Sequence, residues 1–157
     1  MKTALLVIDV QREIFDSEQP PFEGREVVDR INSLTTHARA VGVPVVFIQH
    51  EAAGTALQYG LETWQLSQRL IVEPQDMTIR KTTPDSFLRT SLMDYLSESG
   101  IERLVICGYA SEFCVDTTTR RAAALGFQII LVANAHTTHD KIQASAQQIR
   151  LHHNETL

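Results

Sequence analysis

The sequence predicts a three-layer α/β/α domain on a mostly parallel, doubly wound, Rossmann-like sheet. Three observations carry this expectation. Short runs rich in Val and Ile ("TALLVID", "VPVVFIQ", "ERLVICG", "FQIILVA") are nearly continuous in apolar residues, as strands buried on both faces are. They alternate with stretches of helical periodicity, the order that a parallel sheet with crossover helices produces. The 157 residues hold no internal repeat, linker or low-complexity stretch, so residues 1–157 are read as a single domain with one sizeable core.

Taken in order, residues 3–9 form the first strand, which ends in the polar Asp9. From about Arg25 to Val41, Val27, Val28, Ile31, Leu34 and Ala38 share one helical face, and Gly42 ends that helix. Residues 43–49 make the second strand, with Pro44 tolerated only in its first positions. Residues 50–77 contain Gly54, Gly60 and Pro74 and show little periodicity. A short strand is expected at 78–81. Pro84 and Asp85 then open a helix through Ser99, stopped by Gly100. Residues 102–108 read as a strand, 112–125 as a helix ended by Gly126, and 127–133 as a further strand. A last helix is expected to start near Thr138 and run into "LHHNETL".

Composition excludes several function classes. Fourteen basic against nineteen acidic residues give a net charge of −5, which argues against a nucleic-acid partner. No apolar run approaches the ~18 residues that span a bilayer, so no membrane partner is expected. "MKTALLVIDVQ" is charged too early for a secretory signal, and two cysteines make no disulfide framework, so a cytoplasmic location is expected. No phosphate loop or G-x-G-x-x-G is present. His50 and Glu51 follow the second strand without a second histidine nearby to complete a compact ligand set. The expectation is therefore no cofactor and no metal, with a small molecule as substrate.

In a parallel sheet, ligand chemistry gathers at the carboxyl ends of the strands. Asp9, Lys81 and Cys114 fall at or just past such ends. Ser111 is a good helix cap, which would put Cys114 in the first turn, where free N–H groups and the helix dipole lower a thiol's pKa. A buried inert cysteine is the competing reading, and Cys107, inside a strand, fits it well. Asp9 suits either a loop cap or a general base in an apolar surround. Strand alternation sends Arg80 and Lys81 to opposite faces, so Lys81 is either half of a solvated pair or an ammonium held against Asp9. His136 and His139 can reach the same edge, so spacing alone leaves a Cys–His pair open. His152 and His153, near the chain end, suit a surface or packing role.

"LLVIDVQ", "RKTTPDSF" and "GYASEFCVDTTTRRAAALGF" resemble, in order and spacing, the three signature segments of the isochorismatase-like cysteine hydrolases. "VVFIQHE" and "QIRLHHNETL" resemble a small bacterial subgroup of mostly unassigned substrate. The resemblance implies a catalytic triad of Asp9, Lys81 and Cys114, with Cys114 as nucleophile and Asp9 as its base. It also implies a cis peptide just before Ala110, an oxyanion hole from the backbone N–H groups of Ala110 and Cys114, and a homodimer or homotetramer. Metal-using nicotinamidases of that family carry an aspartate and two histidines where this chain reads "QHEAAGTALQYG". Vinyl ether cleavage in the family needs no cysteine nucleophile. Ile14 stands where many members have an aromatic residue, with Phe15 following, and Asn134 replaces a common aspartate. The chain stops at "HHNETL", where many members continue, so either a truncated C-terminus or a shorter sheet edge is expected.

The expectation is a metal-independent hydrolase that cleaves an amide-type C–N bond through a thioester. Phe15, Trp64 and Tyr109 are candidate pocket walls, with core packing an equal alternative for each. A non-catalytic ligand-binding or redox-sensing domain, or a vinyl ether hydrolase, is the rival.

Overall fold

The computed structural model describes residues 1–157. Strands β1 (Thr3–Ile8), β2 (Val45–His50), β3 (Met77–Lys81), β4 (Arg103–Tyr109) and β5 (Gln128–Thr137) form one sheet in the order β3-β2-β1-β4-β5. Every pairing is parallel. β1 has a neighbour on each side and layers above and below, which is why Ala4 to Ile8 are all buried and read as a continuous apolar run. Pleating sends Leu6 and Ile8 to one face, with Val46, Leu96 and Ile106, and Leu5 and Val7 to the other, with Phe47 and Ile31.

Helix α1 (Arg12–Phe15) is a single turn, and α2 (Gly24–Ala40) buries Val27, Val28, Ile31 and Ala38, the face its spacing predicts. The opposite layer holds α3 (Leu92–Glu98) and α4 (Asp116–Ala124). α5 (Ala146–Thr156) packs on β5. Each fully buried Leu, Ile or Val contributes roughly 1.5–3 kcal/mol against the entropy of ordering the chain. The chain leaves β1 towards β2 and β3 on one side and returns to place β4 and β5 on the other. The order therefore reverses between β1 and β4, the crevice where such sheets bind ligands.

Three elements differ from the sequence expectation. The helix expected from Pro84 to Ser99 is confined to Leu92–Glu98, because side chains upstream satisfy the backbone locally. Asp85 Oδ1 accepts from the Phe87 N–H, the Thr90 hydroxyl donates to Ser86 O, and the Ser86 N–H donates to Thr118 Oγ1. β5 runs to Thr137 rather than 133: a register shift lets Gly108 and Tyr109 pair with His136 and Thr137, so the polar "NAHT" is strand. The last helix begins at Ala146 rather than near Thr138, fixed by a capping box between Ser145 and Gln148. No helix is long and apolar enough to cross a membrane.

Candidate active site

Asp9 follows β1 with φ 53, a left-handed conformation that costs a non-glycine residue of order 1–3 kcal/mol and clusters at functional sites. Its N–H donates to Ile48 O, which turns the carboxylate into the crevice at 2 % exposure. Lys81 ends β3, and the pleat separates it from Arg80 as expected. Arg80 stays outside, pairing with Glu51 at 2.7 Å and lying 3.5 Å from the Tyr59 ring centroid, while Lys81 is 1 % exposed.

The Lys81 ammonium meets three groups: Asp9 Oδ2 at 2.8 Å, Cys114 Sγ at 3.2 Å and His50 Nδ1 at 3.3 Å. An ammonium carries three protons and no lone pair, so all three partners accept. His50 therefore keeps its proton on Nε2. Burial and the adjacent Lys81 charge hold His50 below its ordinary pKa, in agreement. Burial alone would lower the Lys81 pKa, but the Asp9 and Cys114 partners outweigh it and raise it. Asp9 Oδ1 is buried without a hydrogen-bond partner, an open acceptor beside the thiol.

Cys114 is delivered by the turn after β4. Gly108 has φ 117, and a Cβ there would lie 2.1 Å from Ile8 O, so only glycine lets the two strands approach. The Tyr109–Ala110 peptide is cis. The Ala110 carbonyl accepts from the N–H groups of Phe113 and Val115, at 3.0 and 3.1 Å, while the Ala110 N–H donates to no group of the protein. Ser111–Val115 is a π-helical turn that continues as α4.

Two expectations are corrected at this turn. Ser111 is not the cap: Ala110 occupies that position, and the Ser111 hydroxyl is engaged 2.7 Å from His136 Nδ1. Nor is the Cys114 pKa depressed. Burial, reinforced by Asp9, pushes its thiol up to about 12 against the opposing pull of Lys81. The resting centre is thus a thiol beside a carboxylate and an ammonium. Cys107, fully buried inside β4, is pushed up by burial alone.

The histidines expected near this edge are committed elsewhere. His136 pairs through Nδ1 with Ser111 and through Nε2 with Asn154 Oδ1, both at 2.7 Å. His139 donates from Nε2 to Gln19 O at 3.0 Å and so accepts at Nδ1 from the Tyr109 hydroxyl at 2.8 Å. With both ring nitrogens occupied, neither is free to take the Cys114 proton. Tyr109 and Phe15 are brought together edge-on at 6.0 Å, whereas Trp64 packs edge-on against Tyr59 at 4.9 Å. No three His, Cys, Asp or Glu side chains are grouped to hold a metal ion.

Sequence reasoning missed His50 as a neighbour of Lys81 and Gln11 as an organiser. The signal for His50 is the parallel pairing that sets it directly beside Lys81. Gln11 spans the His50 backbone, accepting from its N–H and donating to its C=O at 2.9 Å each, and donates to Trp64 O at 2.8 Å. It thereby ties both ends of the irregular 51–63 segment to the site.

A family model described as the Isochorismatase domain matches residues 3–154. The chain is 36% and 33% identical to two streptothricin hydrolases of Streptomyces noursei over 87% of its length, but covers only 50% and 55% of theirs. It thus spans about half the length of these curated relatives. It is 28% identical to the ureidoacrylate amidohydrolase RutB of Pseudomonas syringae pv. syringae, over 99% of this chain and 78% of that protein. A crystal structure described as an isochorismatase family protein superposes with a TM-score of 0.92 at 37% identity, covering 98% of this chain and 91% of that one.

Proposed function

The chain belongs to the isochorismatase family, and on that premise we propose that it is a cysteine hydrolase cleaving an amide-type C–N bond of a small molecule through a thioester on Cys114. The observation that carries the reading is the single Lys81 ammonium in contact with both the Asp9 carboxylate and the Cys114 sulfur. The names of the relatives support the bond type: RutB is an amidohydrolase.

In the proposed reaction Asp9 Oδ1 takes the thiol proton as Sγ attacks the carbonyl carbon. The high thiol pKa keeps the sulfur protonated until substrate arrives, and a thiolate released from such a thiol is the stronger nucleophile. The carbonyl oxygen, now an anion, meets the Ala110 and Cys114 N–H groups, each such donor typically worth ~3–4 kcal/mol. As the tetrahedral species collapses, Asp9 returns the proton to the leaving nitrogen and the thioester remains. Asp9 then deprotonates a water that attacks the thioester, and the thiol regains its proton as the acid leaves. Lys81 stays protonated throughout, balancing the carboxylate and the forming thiolate. A homodimer or homotetramer belongs to the same proposal and is read by light scattering.

The test is ammonia release from a panel of small amides and ureides. At least one should be turned over, with an acyl adduct on Cys114 in quenched samples and no turnover by Cys114→Ala. Turnover that survives Cys114→Ala would overturn the assignment.

A further inference from the structure

One polar chain, buried at its first two members, takes no part in the proposed reaction, although it begins inside the turn that delivers the nucleophile. The Ser111 hydroxyl lies 2.7 Å from His136 Nδ1, and His136 Nε2 lies 2.7 Å from Asn154 Oδ1. Ser111 and His136 are wholly buried. The far end sets the direction of the protons. Asn154 Nδ2 donates to Ala133 O at 3.1 Å, which turns Oδ1 towards His136 as an acceptor. His136 must then carry its proton on Nε2. A neutral imidazole has only one N–H, so Nδ1 is a lone pair and the Ser111 hydroxyl donates to it. The chain runs one way, from Ser111 to His136 to Asn154 to the β5 backbone.

Its first member adjoins the critical backbone. Ser111 directly follows Ala110, whose N–H has no partner in the protein, and opens the π-helical turn that carries Cys114. The Ala110 carbonyl is held by two N–H groups of the same turn. Two side chains anchor this segment: Glu112 accepts from the Thr138 hydroxyl at 2.8 Å and pairs with Lys141 at 3.3 Å, and Ser111, next to Ala110, is held from β5 and from the last turn of α5. We infer that His136 and Asn154 are positioning residues for the oxyanion site: by holding the Ser111 hydroxyl they hold the Ala110–Cys114 backbone against the developing negative oxygen. This rests on the thioester reading given above. A site held loosely by even about 1 Å can lose on the order of 100-fold in rate without losing its residues.

The experiment uses the full chain and p-nitrophenyl acetate, which acylates a nucleophilic thiol with release of nitrophenolate. Asn154→Leu and Ser111→Ala should each slow acetylation of Cys114 by about tenfold to 100-fold. Half-saturation should stay within about twofold, because the lost interaction serves the transition state. Nitrogen-15 NMR should find the Nε2–H tautomer of His136 in the wild type and lose it in Asn154→Leu. If Asn154→Leu fails to fold, Ser111→Ala decides, since it removes one hydroxyl. Wild-type rates in Ser111→Ala, or in a folded Asn154→Leu, would overturn the inference and leave the nucleophile standing. No acetyl group on Cys114 of the wild type would overturn the nucleophile assignment and the inference with it.

Discussion

Lys81 and Asp9 stand 72 residues apart in the chain and 2.8 Å apart in the fold, both almost wholly buried. Removing one member of such a pair leaves an uncompensated buried charge, at a cost of about 3–5 kcal/mol. Lys81→Met should therefore lower the midpoint of urea unfolding strongly. The double variant with Asp9→Asn should recover part of that loss while remaining inactive. Equal stability of Lys81→Met and wild type would show that the pair is not buried in solution.

Cys114 should be slow to alkylate in the free protein at neutral pH, because burial and Asp9 keep it a thiol. Its labelling by iodoacetamide should accelerate as pH rises, and Cys107 should lag behind it at every pH because it is sealed within β4. Peptide mapping after timed labelling reads both. Rapid Cys114 labelling at pH 7 would restore the depressed thiol that the helix start alone suggests.

Stability should form a plateau in pH. His50 and His136 are held below their ordinary 6.5, mainly by burial. Their contribution is complete above that value and is lost as pH falls, because the unfolded chain then binds protons that the folded one refuses. On the other side Cys107 and Cys114 are raised above 9.0, and Tyr109 from 10.0 to about 12, chiefly by burial. The folded chain keeps those protons while the unfolded chain sheds them, so stability declines as pH rises above about 9. Lys81, raised above 10.5, adds to the same decline. Thermal melts across pH should be flat from about 6.5 to 9 and fall on both sides. Midpoints that climb through pH 10 would contradict the buried thiols.

Gly108→Ala should be among the most damaging single changes. Its Cβ meets the Ile8 backbone at 2.1 Å, between paired strands that cannot move apart without opening the sheet. A loss above about 4 kcal/mol is expected. Gly126→Ala is the control: its φ is also positive, at 96, but nothing lies within 4 Å, so only the backbone cost of about 1–2 kcal/mol remains. Similar losses at the two positions would refute the close approach.

Thr119→Val should raise the melting temperature. The Thr119 hydroxyl is buried in α4 without a partner, and such a group costs about 1–3 kcal/mol relative to an apolar one of the same shape. A lower melting temperature would mean that the hydroxyl finds a partner after all.

Much of the fold was legible because β1, β2 and β4 lie between two layers, and burial on both faces leaves an unbroken apolar run. The convergence of Asp9, Lys81 and Cys114 was legible for a different reason: each falls at or just past the carboxyl end of a strand of one parallel sheet. The rest depends on long-range pairing. "NAHT" is strand only because β4 shifts register beside it, and one of the bonds that replace helix after Pro84 goes from Ser86 to Thr118, 32 positions beyond it. The raised Cys114 pKa was hidden similarly. Local sequence reveals the helix start, while the desolvation that outweighs it comes from the surrounding fold.

The three protons of the Lys81 ammonium are all spoken for, and this sets what the centre can recognise. One cation, one anion, a neutral thiol and a neutral imidazole sum to zero. A neutral centre casts little long-range field, and a lysine with no spare donor is no anchor for a carboxylate or phosphate. On the proposed function, selection by charge then falls to side chains at the mouth of the crevice, and the centre itself suits an uncharged carbonyl.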